Sequence, residues 1–201
     1  MTATFDWGER LPTLVAPRVE LRWLEDGDAP ALFALFSDPE VMRYWSWLPF
    51  TDRVQAQRLL EDIRGHFRAR TLFQWGIVHD GHLIGTTTLF HLDHANRHAE
   101  IGFALARAHW GRGLASEAVS TLVGFAFETL GLHRLEAGAD PRNDGSIRLL
   151  ERQGFRREGY LRERYHVGDE VQDDVLFGLL RPEWRGRGQA PTGSSASTRD
   201  R

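Results

Sequence analysis

Apolar and polar residues alternate over 18–24, with Val19, Leu21 and Trp23 on one side, which predicts a strand. Asp26 or Asp28 follows as a candidate helix cap, and Leu32, Leu35 and Phe36 recur at helical spacing behind it. The stretch 38–49, Asp-Pro-Glu-Val-Met-Arg-Tyr-Trp-Ser-Trp-Leu-Pro, reads as an aromatic-rich connection. Thr51 or Asp52 caps a second helix reaching about Ala69, with Leu59, Leu60, Ile63 and Phe67 marking its buried face. Two apolar runs, 73–78 and 83–90, flank Asp80-Gly81, a strong hairpin signal. A polar turn at 91–97 leads into a strand at 100–106. A longer helix is predicted over 113–130, with Leu114, Ala118, Leu122, Phe125 and Ala126 on one face and Gly131 as its left-handed stop. A short strand at 135–139, a short helix at 146–153 and a last hairpin, 155–165 with 171–180 around Gly168-Asp169, complete the pattern. The order β α α β β β α β α β β predicts a mixed α/β fold.

The length of 201 residues suits one domain, expected over 1–184, with a Gly-, Ser-, Pro- and Arg-rich tail over 185–201 predicted to be disordered. A net charge of −3 does not mark the whole surface for nucleic acid or an anionic membrane. The absence of cysteine excludes disulfides, thiolate metal sites and a Cys nucleophile, and fits a reducing cytoplasm. Residues 1–10 hold Asp6 and Glu9 and no apolar stretch, so no secretory signal is read there, and no segment approaches membrane-spanning length.

The most informative run is Trp110-Gly111-Arg112-Gly113-Leu114-Ala115, between a predicted strand and a predicted helix. Glycines at such a turn let the backbone approach an anion, and the free N–H groups of the helix start then hold phosphate. There is no Gly-x-x-x-x-Gly-Lys-[Ser/Thr] run, and the turn lies past mid-chain after hairpin strands, so neither a Walker loop nor a dinucleotide fold is indicated.

Several blocks resemble the GNAT acetyltransferase superfamily, and its RimJ/RimL-like subfamily most. They are Glu100-Ile101-Gly102-Phe103, the glycine turn with Ser116-Glu117-Ala118, Asn143-Asp144-Gly145-Ser146, the run 149–155, Glu158-Gly159, and Asp174 before Val175-Leu176-Phe177. The general superfamily turn begins with Gln or Arg where this chain has Trp110 or His109; Trp-Gly is common in the subfamily. The resemblance covers roughly 17–184. It implies a central, mostly antiparallel sheet splayed at an acetyl-CoA site, with helices on both faces. It also implies acetyl transfer from acetyl-CoA to an amine: a protein N-terminal α-amine such as that of a ribosomal protein, or a polyamine, amino acid or drug-like amine. Without a Cys to carry the acetyl group, direct transfer in a ternary complex is expected. A non-catalytic acetyl-CoA-binding protein is the rival reading. A homodimer is compatible with the resemblance; no membrane partner and no strong nucleic-acid binding are expected.

On that resemblance, Gly111, Arg112, Gly113, Leu114, Ala115 and Ser116, with Trp110, form the pyrophosphate cradle. Backbone N–H groups between Phe103 and Leu105 polarise the thioester carbonyl. Asn143 contacts the pantetheine arm and Ser146 lies by the departing sulfur; the competing role for both is ordinary helix capping. Glu100 is the candidate base, or it orders the acceptor's ammonium; Asp93 and Glu163 stand behind it. Tyr165, with Tyr160, is an alternative acid for the thiolate. Tyr44, Trp45 and Trp47 either wall the acceptor pocket or plug the core. The spacing His91-x-x-His94-x-x-x-His98 reads as a solvated turn, and no metal is expected. Arg185-Gly186-Arg187-Gly188 resembles an RNA-contact tail only in four residues.

Overall fold

The computed structural model describes residues 5–184, so the tail over 185–201 and its expected disorder lie outside the described residues. The strands are β1 (Leu14–Val15), β2 (Glu20–Arg22), β3 (Leu72–His79), β4 (His82–Asp93), β5 (His98–Leu105), β6 (Arg134–Ala139), β7 (Arg156–Val167) and β8 (Glu170–Leu180). The helices are α1 (Ala29–Phe36), α2 (Pro39–Met42), α3 (Arg53–Ala69), α4 (Leu114–Gly124) and α5 (Asp144–Arg152). All eight strands form one sheet in the order β1-β2-β3-β4-β5-β6-β8-β7. Every neighbouring pair is antiparallel except β5 with β6.

Side-chain alternation along the strands feeds two cores. Phe73, Trp75, Ile77, Ile101 and Leu105 point toward α4, where Leu114, Ala118, Val119 and Leu122 meet them. Leu24 and Ala104 join a second cluster with Leu32 and Phe36 of α1 and Leu60 and Ile63 of α3. Ile101 and Ala104 differ in parity on one strand, so the clusters lie on opposite faces, and helices cover both, as the resemblance implied.

Local chemistry accounts for most of the element ends. Asp52 caps α3: its carboxylate accepts from the Val54 N–H at 2.9 Å, while Gln55 reaches back to the Asp52 N–H at 2.9 Å. Asp28 sits at the cap position of α1 but makes no side-chain cap bond; its carboxylate binds the Arg22 guanidinium at 2.7 and 2.8 Å. Within the stretch read as a connection lies α2, capped by Asp38 on the Glu40 N–H at 2.9 Å with Pro39 at its first position. The helix expected over 113–130 is α4 followed by a wider π turn, Phe125–Thr129, and Gly131 has the left-handed φ of +67° expected of its stop.

The decisive feature is the single parallel pairing. β5 and β6 share only three rungs, His98↔Arg134, Ala99↔Leu135 and Glu100↔Glu136. Beyond Glu100 the two strands part, while β5 stays paired with β4 as far as Leu105 and β6 stays paired with β8 as far as Ala139. The sheet is therefore open between Phe103–Leu105 and the end of β6.

Candidate active site

The opening between the strands faces the glycine turn. Gly111 and Gly113 take φ of +72° and +78°, a region open to glycine and strained for other residues. Gly113 is the cap residue of α4 and has no side chain with which to satisfy the helix start. The first-turn N–H groups, and the positive end of the helix, are left for a ligand. A Cβ built on Gly111 meets nothing within 4 Å, so the turn lies open. Trp110, beside it, donates its indole N–H to the Leu105 carbonyl at 2.6 Å, which ties the turn to the end of β5.

A groove of about 1190 Å³ runs from this turn along the gap. It is lined by Phe103 and Leu105 of β5; by Trp110, Gly111, Gly113, Leu114, Ala115 and Ser116 of the turn; by Asn143 and Ser146 of α5; and by Tyr44 and Trp45. Its charged lining is five arginines (Arg18, Arg43, Arg142, Arg148, Arg152) against Glu40, Glu117 and Asp144, a balance suited to an anionic ligand. The Ala106 N–H is bonded to the Ile84 carbonyl of β4 at 2.8 Å. Alternation along β5 then turns the N–H groups of Phe103 and Leu105 away from β4, into the gap. The size, the open glycine turn, the cationic lining and the free amides fit a long phosphate-bearing thioester such as acetyl-CoA.

Asn143 is the cap of α5; its carbonyl oxygen accepts from the Ser146 N–H at 3.1 Å. The Ser146 hydroxyl takes no part in that cap. It makes no hydrogen bond among the described residues and is half-buried on the groove wall. Asn143 therefore answers for the capping role, and the Ser146 hydroxyl remains available.

Several residues singled out in the sequence stand outside the groove lining. Arg112 turns away: its guanidinium nitrogens lie 3.3 Å from His109 Nδ1 and 3.3 Å from His79 Nε2. Trp47 packs among Phe36, Trp45 and Phe50, with ring centroids 5.1–5.5 Å apart, because this is where α1 closes over the connection. Tyr165 pairs with Gln172 on the β7–β8 hairpin, under the Arg164 guanidinium. Tyr160 hydrogen-bonds Asp173, and that bond raises its pKa and commits its proton. Glu100 occupies the last shared rung of β5 and β6, its side chain on the face opposite Ile101. Its carboxylate meets His91 Nδ1 at 3.1 Å; His91 sits in the β4 irregularity with a left-handed φ of +50°. Of the other histidines in that run, His98 lies 3.8 Å from Asp93, and no group of three His, Cys, Asp or Glu side chains gathers among the described residues. Of the backup carboxylates, Asp93 is engaged, accepting from the Asn96 backbone and amide at 2.8 Å each, and Glu163 lies exposed in the β7 bulge.

The structure adds residues to which the pattern assigned no role. Gln153, the residue that ends α5, donates to the Ser116 hydroxyl at 2.8 Å and the Ser116 carbonyl at 3.1 Å, which ties the two groove helices together. It lay inside a quoted block, 149–155, but nothing local predicts its partner. Asp174 of β8 is buried, with its oxygens over Gly138 of β6, 2.8–2.9 Å from where a Cβ there would stand. Burial, and then the nearby charge of Glu100, push the Asp174 carboxyl upward from its ordinary 3.8. A carboxyl whose pKa the fold raises contributes stability below 3.8 and loses it as pH rises through its folded value. Asp174→Asn is accordingly expected to raise Tm by a few degrees near neutral pH and to make no difference in strong acid. Thermal melts of both proteins across pH check this, and equal Tm near neutrality counts against it.

The comparisons agree with the geometry. Residues 18–156 match the family model of the acetyltransferase (GNAT) domain. The chain is similar to the uncharacterized N-acetyltransferase p20 of Bacillus licheniformis, 38% identical over 178 residues that span 88% of this chain and all of that protein. It is 32% identical to YdaF of Bacillus subtilis, a candidate ribosomal N-acetyltransferase, over 86% of this chain and 96% of that one. It is 26% identical to the spermidine N(1)-acetyltransferase of Vibrio cholerae, over 86% and 98%. Among solved structures, Mycobacterium smegmatis RimJ in complex with CoA-disulfide aligns with a TM-score of 0.75 at 27% identity, covering 86% of this chain and 87% of that one. With a sheet that parts beside a glycine turn, and a family model matched over most of its length, the chain belongs to the GNAT family and is an N-acetyltransferase.

Proposed function

We propose that the protein transfers the acetyl group of acetyl-CoA to a protein N-terminal α-amine, by direct attack in a ternary complex. The observation that carries the reading is the parting of β5 and β6 after Glu100, opposite the positive-φ glycine turn. Bound acetyl-CoA supplies the thioester. The amides over 111–116 hold its pyrophosphate, and the N–H groups of Phe103 and Leu105 stabilise charge on the carbonyl oxygen; one preorganised donor of this kind contributes about 3–4 kcal/mol. Glu100 takes the ammonium proton, directly or through a water, and His91 stands behind it at 3.1 Å. The amine nitrogen bonds to the carbonyl carbon, the C–S bond breaks, and the Ser146 hydroxyl protonates the leaving thiolate while it takes up the second proton that the acylated nitrogen gives up.

A peptide amine is favoured over a polyamine by the state of Tyr44. Its ring lies beneath two guanidiniums of the chain itself, Arg43 at 5.3 Å and Arg142 at 5.5 Å. Arg142 is a fixed cation, its pKa raised by hydrogen bonds to Asp140 and then to Glu170. The ring face is thus occupied by the chain's own guanidiniums and is closed to stacking by the ammonium of a polyamine. YdaF's designation points the same way, and the spermidine N(1)-acetyltransferase is the counterexample among the relatives. CoA release measured over a panel of peptide N-termini, amino acids, spermidine and spermine tests the proposal. Turnover highest on a peptide supports it. Faster turnover on spermidine moves the acceptor to polyamines, and acetyl-CoA binding with no turnover on any amine favours a non-catalytic role.

Ser146→Ala is expected to lower kcat about tenfold or more while leaving CoA affinity and Tm unchanged, because the cap bond uses only the backbone N–H of residue 146. Asn143→Ala is expected to do the reverse on stability, at a cost of about 1 kcal/mol. Steady-state kinetics and thermal melts separate the two; wild-type kcat in the serine variant removes Ser146 from the chemistry.

A further inference from the structure

We propose that Arg18 is the side chain that grips the pyrophosphate of the acyl donor, and that Glu117 is the residue that positions it. The inference rests on the acetyl-CoA reading above. Arg18 lines the groove although it lies about a hundred positions before the turn it reaches. Its Nε donates to Glu117 at 2.8 Å, its Nη1 donates to the Arg112 carbonyl at 2.9 Å, and its backbone N–H donates to Glu117 at 2.6 Å. That leaves Nη2, which has no partner among the described residues and lies 3.3 Å from the place a Cβ on Gly113 would occupy. Two of the three guanidinium nitrogens are spent on holding the group still over the cradle, the backbone N–H anchors the residue to the same carboxylate, and the third nitrogen faces the anion position.

This arrangement also explains a carboxylate where a phosphate site would not want one. Glu117 lies in the first turn of α4 and lines the groove, so an ionised side chain there opposes a phosphate. It is nonetheless ionised. Burial pushes its carboxyl up, but hydrogen bonds from the backbone and guanidinium of Arg18, with the charge of that guanidinium, more than offset the burial and leave it below the ordinary 4.5. Its charge is thereby spent on Arg18. Arg112, the obvious cation of the turn, points instead to His79 and His109. The recognition role that the Gly-Arg-Gly spelling suggests for Arg112 belongs to Arg18.

The test compares two donors: acetyl-CoA, and acetyl-pantetheine, which keeps the thioester arm but lacks the pyrophosphate together with the 3′-phosphoadenosine. Arg18→Met, which keeps an apolar stem, is expected to weaken CoA binding about 10- to 100-fold by calorimetry. The same variant should raise KM for acetyl-CoA by a similar factor and use acetyl-pantetheine within about twofold of wild type. Arg18→Lys keeps the charge but not the fork, and is expected to fall between wild type and Arg18→Met. It carries the test if Arg18→Met does not fold. A folded Arg18 variant that binds CoA as wild type does overturns the inference. So does one that loses both donors equally, since that is what a mere strap between the 14–22 segment and α4 would give. Wild-type protein that binds no CoA overturns the acetyl-donor reading itself, and this inference with it.

Discussion

Replacing Glu100 by Gln is expected to lower kcat about 100-fold or more and to abolish the acidic limb of the pH–rate profile. Gln keeps the size of the side chain and an oxygen for His91 Nδ1, now 3.1 Å from the carboxylate, but it cannot accept a proton. The place of Glu100 makes the effect large. It stands on the last rung before β5 and β6 part, three residues before the Phe103 N–H that faces the gap. If Glu100 only holds the ammonium of the acceptor, the variant raises the acceptor KM and leaves the limb of the kcat profile where it was. Profiles of kcat and kcat/KM against pH for both proteins decide between these roles. An unaltered profile in both quantities takes Glu100 out of the mechanism.

The second large effect is expected at the turn. Gly113→Val should weaken acetyl-CoA binding about 100-fold while the secondary structure survives. Two causes act together. At φ +78° a β-branched residue is strained, by about 1–3 kcal/mol, and the helix start shifts to relieve it. The new Cβ also stands 3.3 Å from Arg18 Nη2, so the guanidinium must give way where the phosphate is to be met. Gly111→Val separates the causes: φ there is +72°, but a Cβ meets nothing of the protein within 4 Å. Its effect on CoA therefore comes from backbone strain and from crowding of the ligand alone. Calorimetry with circular dichroism as the fold control measures both variants, and unchanged CoA affinity in a folded Gly113→Val protein places the pyrophosphate elsewhere.

Much of the fold was legible in the chain because its signals are local. The Asp80-Gly81 hairpin, the Asp52 cap of α3 and the left-handed Gly131 each depend on a few neighbouring residues. The Gly111 and Gly113 conformations belong to this class too, as does the Asn143 cap of α5. Short elements escaped: α2 has four residues and β1 has two, too few for any period to show. The π turn after Gly124 escaped because it keeps a helical pattern of apolar side chains while changing the hydrogen-bond step.

What residue order alone determined was which of the longer segments become strands and helices, where the glycine turn lies, and the family to which these blocks belong. These follow from backbone preferences and apolar periodicity over a handful of positions. Only the tertiary structure decided where the sheet opens, because the three-rung β5–β6 pairing joins strands separated by the whole of α4. Only it decided where the cations near the turn are placed: Arg112 is in the motif but points to His79 and His109, while Glu117 holds Arg18 beside the turn. It likewise put Trp47 among core rings, left Trp45 on the groove wall, and covered Tyr44 with two guanidiniums. Side chains of one type in one stretch met different fates because packing and charge pairing act between segments distant in sequence, where local order carries no information.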